Sequence, residues 1–306
     1  MFLFTGKGGA GKTTCAAAFS LALAGADRQV LLVSLDPAHN LGDVLDLRLG
    51  AAPREVAPGL FAMEADLERV VQEKTREARR LVEEEYRYLS VASLDPLFSI
   101  LGQAPGVEEQ AAGEVLLDLR DSCSRRGRIL VADLPPTGQA WRILSLPALS
   151  LRWARSLLDL RRKVLDRRRT LFHVLGEETP ARDMEGRPLP LEEDQDPVAC
   201  RLREVAARNE GLARDLQDRS AARVVGVALP ERLSLLEAAR LEDRLRRWGI
   251  PLSALVLNRA GRDLSLKEWD FPARKPDLVL ENLDREPRGR EGLAPLGREL
   301  KRLFLE

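Results

Sequence analysis

Residues 6–13, Gly-Lys-Gly-Gly-Ala-Gly-Lys-Thr, fit the spacing G-x-x-x-x-G-K-[ST]. They follow a short apolar run, Phe2-Leu3-Phe4, and open an alanine-rich segment from about 12 to 25. This strand–loop–helix order constrains the fold more than any other feature of the chain. Glycines let backbone N–H groups curl around an anion, and the helix N-terminus adds positive potential. In such a loop Lys12 reaches the β- and γ-phosphates and the Thr13 hydroxyl binds Mg²⁺. Gly6, Lys7, Gly8, Gly9, Ala10, Gly11, Lys12, Thr13 and Thr14 are therefore candidate nucleotide-binding residues.

The remainder of the chain alternates apolar runs with helical patterns. Val30–Val33, Arg128–Ala132, Arg223–Leu229 and Ala254–Leu257 read as strands buried on both faces, and Phe61–Met63 as an edge strand. Helical patterns cover about 65–90, 108–121, 201–217 and 232–247, and Gly25 stands where a C-cap glycine closes the first helix. Strands alternating with helices predict an α/β fold of the P-loop NTPase kind. Its central sheet is mostly parallel, with helices on both faces. From Ser145 to about Arg201 no strand is expected. Trp153, Leu157, Leu160, Val164 and Leu171 share one helical face there, and 176–196 reads as a long mobile loop. The expected organisation is one domain, 1–306, with a helical subdomain from about 65–125 and 145–217.

Charge removes several classes of function. Lys+Arg and Asp+Glu both number 48, so the net charge is zero, and no nucleic-acid partner is expected. Residues 152–169 carry a local charge of +6, which reads as a solvated helix face. The C-terminal stripe Leu293, Leu296, Leu300, Leu303 and Phe304 reads as a helix closing the core. The cysteines at 15, 123 and 200 form no C-x-x-C pair, so neither a disulfide framework nor a local zinc site is expected. The P-loop lies so near Met1 that no leader is expected, and the longest apolar stretch, Cys15–Ala26, is too short to span a bilayer. A cytoplasmic protein is the expectation.

The second lysine of the loop, Lys7, makes it a deviant Walker A motif, similar to that of dimerising ATPases of the MinD, ParA, nitrogenase iron protein and ArsA type. Asp36-Pro37-Ala38-His39-Asn40-Leu41 resembles switch I of the ArsA and tail-anchored-protein-targeting ATPase family, and Asp133-Leu134-Pro135-Pro136-Thr137-Gly138 resembles its switch II. Leu144-Ser145-Leu146-Pro147, Pro105-Gly106-Val107-Glu108-Glu109, Leu233-Ser234-Leu235-Leu236-Glu237 and Asn258 match further family segments in order.

The resemblance implies an ATPase with ATP and Mg²⁺ as cofactors, working as a homodimer. Asp36 would orient and activate water, Lys12 would hold phosphate, and Lys7 would act on the partner's nucleotide. Asp133 would hold Mg²⁺ through water alongside Thr13. Asn40 and Gly138 would sense the γ-phosphate, Asn258 would contact adenine, and His39 would be a structural switch residue. A hydrophobic helical client or a membrane-protein partner follows from the same likeness. The chain departs from the family at Leu134, Pro135 and Gln139 in switch II, and it lacks the cysteines of a zinc-clamped dimer. Two alternatives stay open, the soluble motor of a metalloid efflux pump and a positioning switch of the ParA or MinD kind.

Overall fold

Strands β1 (Phe2–Gly6) and β2 (Val30–Ser34) are buried at every position, as continuous apolar runs between two helical layers must be. The computed structural model describes residues 1–26, 28–38, 40–85, 104–175, 186, 188–261, 274–283 and 285–305. Its further strands are β3 (Arg54–Ala57), β4 (Leu60–Glu64), β5 (Ile129–Asp133), β6 (Arg223–Ala228), β7 (Leu252–Ala260) and β8 (Leu278–Glu281). The helices are α1 (Lys12–Ala24), α2 (Leu41–Leu45), α3 (Leu67–Glu85), α4 (Val107–Arg125), α5 (Thr137–Leu175), α6 (Pro197–Gln217), α7 (Arg232–Arg246) and α8 (Gly289–Leu305). The eight strands form one sheet in the order β3-β4-β2-β5-β1-β6-β7-β8. All pairings are parallel except β3 with β4.

This is the expected α/β fold, with two corrections at the margins of the sheet. Phe61–Met63 is not an edge strand, because β4 pairs with β2 on one side and β3 on the other. Strand β8 beyond β7 was not foreseen. Both outer strands span only four residues, and β3 buries Val56 alone, so neither leaves a strong periodic trace.

The chain divides into two compact units, Met1–Leu144 with Asp215–Glu306, and Ser145–Arg214. In the first, α1 and α8 pack beside the sheet. Leu293, Leu296 and Leu300 are buried, each contributing roughly 2 kcal/mol, and the stripe closes the core as expected. Phe2, Phe19 and Phe304 meet edge to face at centroid distances of 4.6, 5.3 and 5.4 Å. A Cβ on Gly297 would lie 2.4 Å from the Ala18 carbonyl oxygen, so α8 can approach α1 this closely only through glycine. Gly25 does close α1, but at φ −65° its backbone is right-handed and its N–H bonds the Leu21 carbonyl. Of the residues expected in the helical subdomain, the described part of 65–125 falls in this first unit.

The second unit revises the reading of 145–201. Trp153, Leu157, Leu160 and Leu171 do share a face, but that face is exposed. The buried face lies one residue, about 100°, around the helix, at Ala154, Leu158 and Leu165. Arg161, between them, makes a two-pronged contact with the enclosed carboxylate of Asp196. Arg162 pairs with Glu193, Arg169 with Glu192, and Arg203 with Asp194. The basic run on α5 and the acidic run 192–194 are thus partners rather than separate solvated charges. Residues 190–196 are held by these bonds and by Arg168 and Arg169 donating to the Pro190 and Leu191 carbonyls, and they include a 3₁₀ turn at Glu193–Gln195, whereas 176–185 and 187 lie outside the described residues. Among the described residues no helix is long and apolar enough to cross a membrane.

Candidate active site

Three neighbouring strands, β2, β5 and β1, deliver the site from their C-terminal ends. Phe4 and Ser34 both stand in register with Asp133, the last residue of β5. Beyond β1 the chain enters the glycine loop, and two residues beyond β2 lies Asp36. Crevices at the carboxyl ends of such strands are where open α/β sheets bind ligands.

The loop is built to receive an anion. Gly11, at φ 89°, precedes α1 in the left-handed region, and a Cβ there would meet Asn258 Nδ2 at 2.3 Å. No side chain caps α1, so the first-turn N–H groups are open to a ligand. Lys12 is buried, and its Nζ lies 3.8 Å from Asp36 Oδ2. Asp36 Oδ1 accepts the Ala38 N–H at 3.1 Å, a local turn that fixes the carboxylate over the cleft.

Asp133 is wholly enclosed. Its Oδ2 accepts the Thr13 hydroxyl at 2.7 Å and the Ser34 hydroxyl at 3.4 Å, while Oδ1 has no partner among the described residues. Burial pushes its carboxyl up to about 7; Thr13 and Lys12 hold it down and Asp36 pushes it further up. A buried, half-satisfied carboxylate beside a hydroxyl is a hard-oxygen set that fits a divalent cation such as Mg²⁺. Cys15, a buried core residue, is driven by burial to about 12 and is inert.

Beside these groups opens a cleft of about 550 Å³; Asp133 is not in its lining and borders it only through its bond to Thr13. Of the anticipated residues, Gly8, Gly9, Gly11, Lys12, Thr13, Thr14, Asp36 and Asn40 line it. Gly6 and Ala10 are buried behind it. Lys7 does not line it; its Nζ sits 3.9 Å from Glu231 Oε2. Gly138 is exposed in the first turn of α5, and its neighbour Pro136 lines the cleft instead. Asn258 lines an adjoining cavity of about 190 Å³, and its Nδ2 donates to the Ala10 carbonyl at 2.8 Å. Of the three switch II departures, Leu134 and Pro135 are buried, with the Leu134 N–H bonded to Phe4 O, and Gln139 is half-buried. His39 lies outside the described residues.

Comparison with known proteins decides the family. Residues 1–271 match the model for the anion-transporting ATPase family. The chain belongs to that family. Among its relatives, the ATPase GET3A of Arabidopsis thaliana is 30% identical over 257 residues, 83% of this chain and 65% of that protein. The putative arsenical pump-driving ATPase 2 of Aquifex aeolicus is 27% identical over 85% of this chain and 79% of its own length. An ATPase ASNA1 homolog of Entamoeba histolytica is 26% identical, covering 83% and 74%. The chain therefore spans just under two thirds of the Arabidopsis relative. Against this anion-transporting ATPase frame, the residues not anticipated are Asp43 and Val44 on α2, Arg259 on β7, and the segment Glu286-Pro287-Arg288 on the approach to α8, all of which line the cleft. No motif in the sequence marks 286–288 as part of a site.

Proposed function

We propose that this ATPase hydrolyses Mg-ATP as a nucleotide-gated homodimer. The observation that carries the reading is the gathering of Lys12, Thr13 and Asp36 at one cleft beside an uncapped helix N-terminus, with buried Asp133 bonded to Thr13 behind it. Lys12 binds the β- and γ-phosphates, and Asp36 orients the attacking water and takes its proton. Thr13 and Asp133 would hold Mg²⁺, which neutralises charge developing on the phosphoryl oxygens. Asn40 and Gly138 report the γ-phosphate to the two switch segments, and Asn258 borders the base.

Lys7 serves the opposite subunit. Its absence from its own cleft supports this, since Lys12 already meets the phosphates there. Mixing Lys7→Ala and Lys12→Ala proteins tests it. In a mixed dimer one subunit keeps its Lys12 and receives Lys7 from the other, completing one of two sites. With random exchange half the dimers are mixed, so about a quarter of wild-type activity returns. Background activity after demonstrated exchange refutes the trans role and the gated dimer with it.

The client is an apolar helical segment, and the protein works in the cytoplasm. The exposed Trp153, Leu157, Leu160 and Leu171 support an apolar partner. A metalloid-pump motor is the second reading, drawn from the relatives that are named arsenical pump-driving ATPases. Burial raises the thiols of Cys15 and Cys123, which disfavours the thiolates that soft metalloid ions require. Stimulation of hydrolysis by micromolar arsenite would favour that reading; its absence would favour the apolar client.

A further inference from the structure

Strand β7 loses register with β8 between Leu257 and Ala260. The irregularity brackets Asn258 and Arg259. Arg259 has φ 55°, in the left-handed region that side chains with a Cβ rarely occupy. Bulges of this kind re-aim a side chain, and non-glycine residues at positive φ cluster at functional sites. The bend is held in place by the site itself. Arg259 N–H donates to Asn258 Oδ1 at 3.0 Å, while Asn258 Nδ2 donates to Ala10 O of the glycine loop at 2.8 Å. One amide therefore ties the strained residue to the phosphate loop.

The Arg259 side chain is exposed and has no ion pair or side-chain hydrogen bond among the described residues. It lines both the larger cleft and the smaller cavity, together with Thr14, Glu286 and Pro287. Of these shared residues Glu286 is the acidic one, and Arg288 pairs with it at 2.9 Å. The larger cleft holds the groups suited to the β- and γ-phosphates. The smaller one is bordered by Asn258. What must cross between them is the link from polyphosphate to nucleoside.

We propose that Arg259 is a nucleotide-binding residue that grips the α-phosphate, with the bulge and the Asn258 bridge serving to aim it. This rests on the reading of the cleft as a nucleotide site. A planar guanidinium suits a phosphate at such a junction, since it forks to two oxygens. The grip is common to ATP and ADP, so it holds the nucleotide through turnover rather than discriminating between the two.

The test uses Arg259→Gly, Arg259→Lys and Lys12→Ala proteins, with ATP, ADP and adenosine binding measured at equilibrium by competition against a fluorescent ATP analogue. Arg259→Gly is expected to lose about tenfold or more in affinity for ATP and for ADP, and nothing for adenosine. Arg259→Lys recovers part of the loss, because it restores charge but not the fork. Because glycine accepts φ 55° without strain, the nucleotide-free Arg259→Gly protein should also unfold at a higher temperature than wild type. Unchanged ADP affinity, or an equal loss for adenosine, overturns the assignment; the second outcome would move the guanidinium to the sugar or base. If Lys12→Ala binds ATP as wild type does, the failure lies instead with the nucleotide site as a whole.

Discussion

Two aspartates of this protein are both shut off from solvent, and they could hardly be used more differently. Asp133, in the nucleotide unit, and Asp196, in the helical unit, both have fully buried side chains. Asp196 is saturated. It accepts both Nε and Nη2 of Arg161, at 3.0 and 2.6 Å, and the Ala199 N–H at 2.8 Å, with Arg168 4.0 Å away. Burial alone would raise its pKa, but these partners overcome it and the carboxyl lies below its usual range. It also caps α6, followed by a proline at the first helical position. Asp133 instead has two hydroxyls on one oxygen and, among the described residues, no partner on the second, and burial carries it to about 7. Burial does not by itself distinguish a structural carboxylate from a functional one. Unmet bonding capacity does, since a buried group left short of partners costs stability unless a ligand supplies them.

The comparison predicts that substitutions in the cleft erase chemistry and that those at Asp196 erase stability. The largest effects are in the cleft. Lys12→Ala abolishes nucleotide binding, because it removes the buried cation of the loop. Asp36→Asn keeps the shape and retains binding, but slows hydrolysis on the order of 10²–10⁴. Equilibrium binding and single-turnover hydrolysis separate the two effects. Normal turnover by the Asp36→Asn protein would remove the aspartate from its role.

Next in size is Asp196→Ala. It strands the Arg161 guanidinium, uncaps α6 and releases residues 192–196, at a cost of about 3 kcal/mol in chemical denaturation. Combining it with Arg161→Met should cost less than the single change, because no unpaired charge is then left buried. A double variant less stable than the single one by the full additive amount would show that the pair is incidental. The pH dependence has a definite sign. A carboxyl whose folded pKa is depressed stabilises above its unfolded value of about 3.9, and that contribution fades as pH falls through the folded pKa. The gap between wild type and Asp196→Ala should therefore shrink below about pH 4.

Legibility in the sequence followed the same division. The glycine loop was readable because its spacing, the strand before it and the helix after it coincide within a few residues, whereas Asp36 and Asp133 were legible only through the resemblance of their segments to the family's two switches. Arg259 was not, because an arginine at positive φ in a bulge leaves no compositional mark. The wide sheet was readable from its central apolar strands, but β3 and β8 were too short to register, and β3 is largely exposed as well. In the helical unit the stripe Trp153 to Leu171 has flawless helical spacing, yet the chain buries its neighbour. The deciding interaction there is between Arg161 and Asp196, 35 residues apart, a charge pairing that periodicity cannot see. Likewise the +6 run on α5 and the acidic run after it were each legible alone, but not as partners.

The smallest effect is also the one that most directly opposes the two aspartates. Asp133→Asn keeps an acceptor for the Thr13 hydroxyl but cannot ionise. In the nucleotide-free protein the wild-type carboxyl titrates near 7 when folded and near 3.9 when unfolded. Between those values the folded state binds the extra proton, so wild-type stability from this group falls as pH rises through the interval and levels off above it. Every other titrating group is shared with the variant and cancels in the difference. The Asp133→Asn protein should therefore gain on wild type by about 2.5 kcal/mol between pH 5 and pH 8, in denaturant unfolding without nucleotide. Asp196 gives the reverse, a substitution that only costs stability and costs more at neutral pH than in acid. Adding Mg-ATP at pH 8 should invert the ranking at Asp133, because a ligand that binds only the folded state stabilises the protein that binds it more tightly. A gap at Asp133 that stays constant from pH 5 to pH 8 would mean that its carboxyl has found partners in solution. The contrast between an unsatisfied functional carboxylate and a satisfied structural one would then fail at its first member.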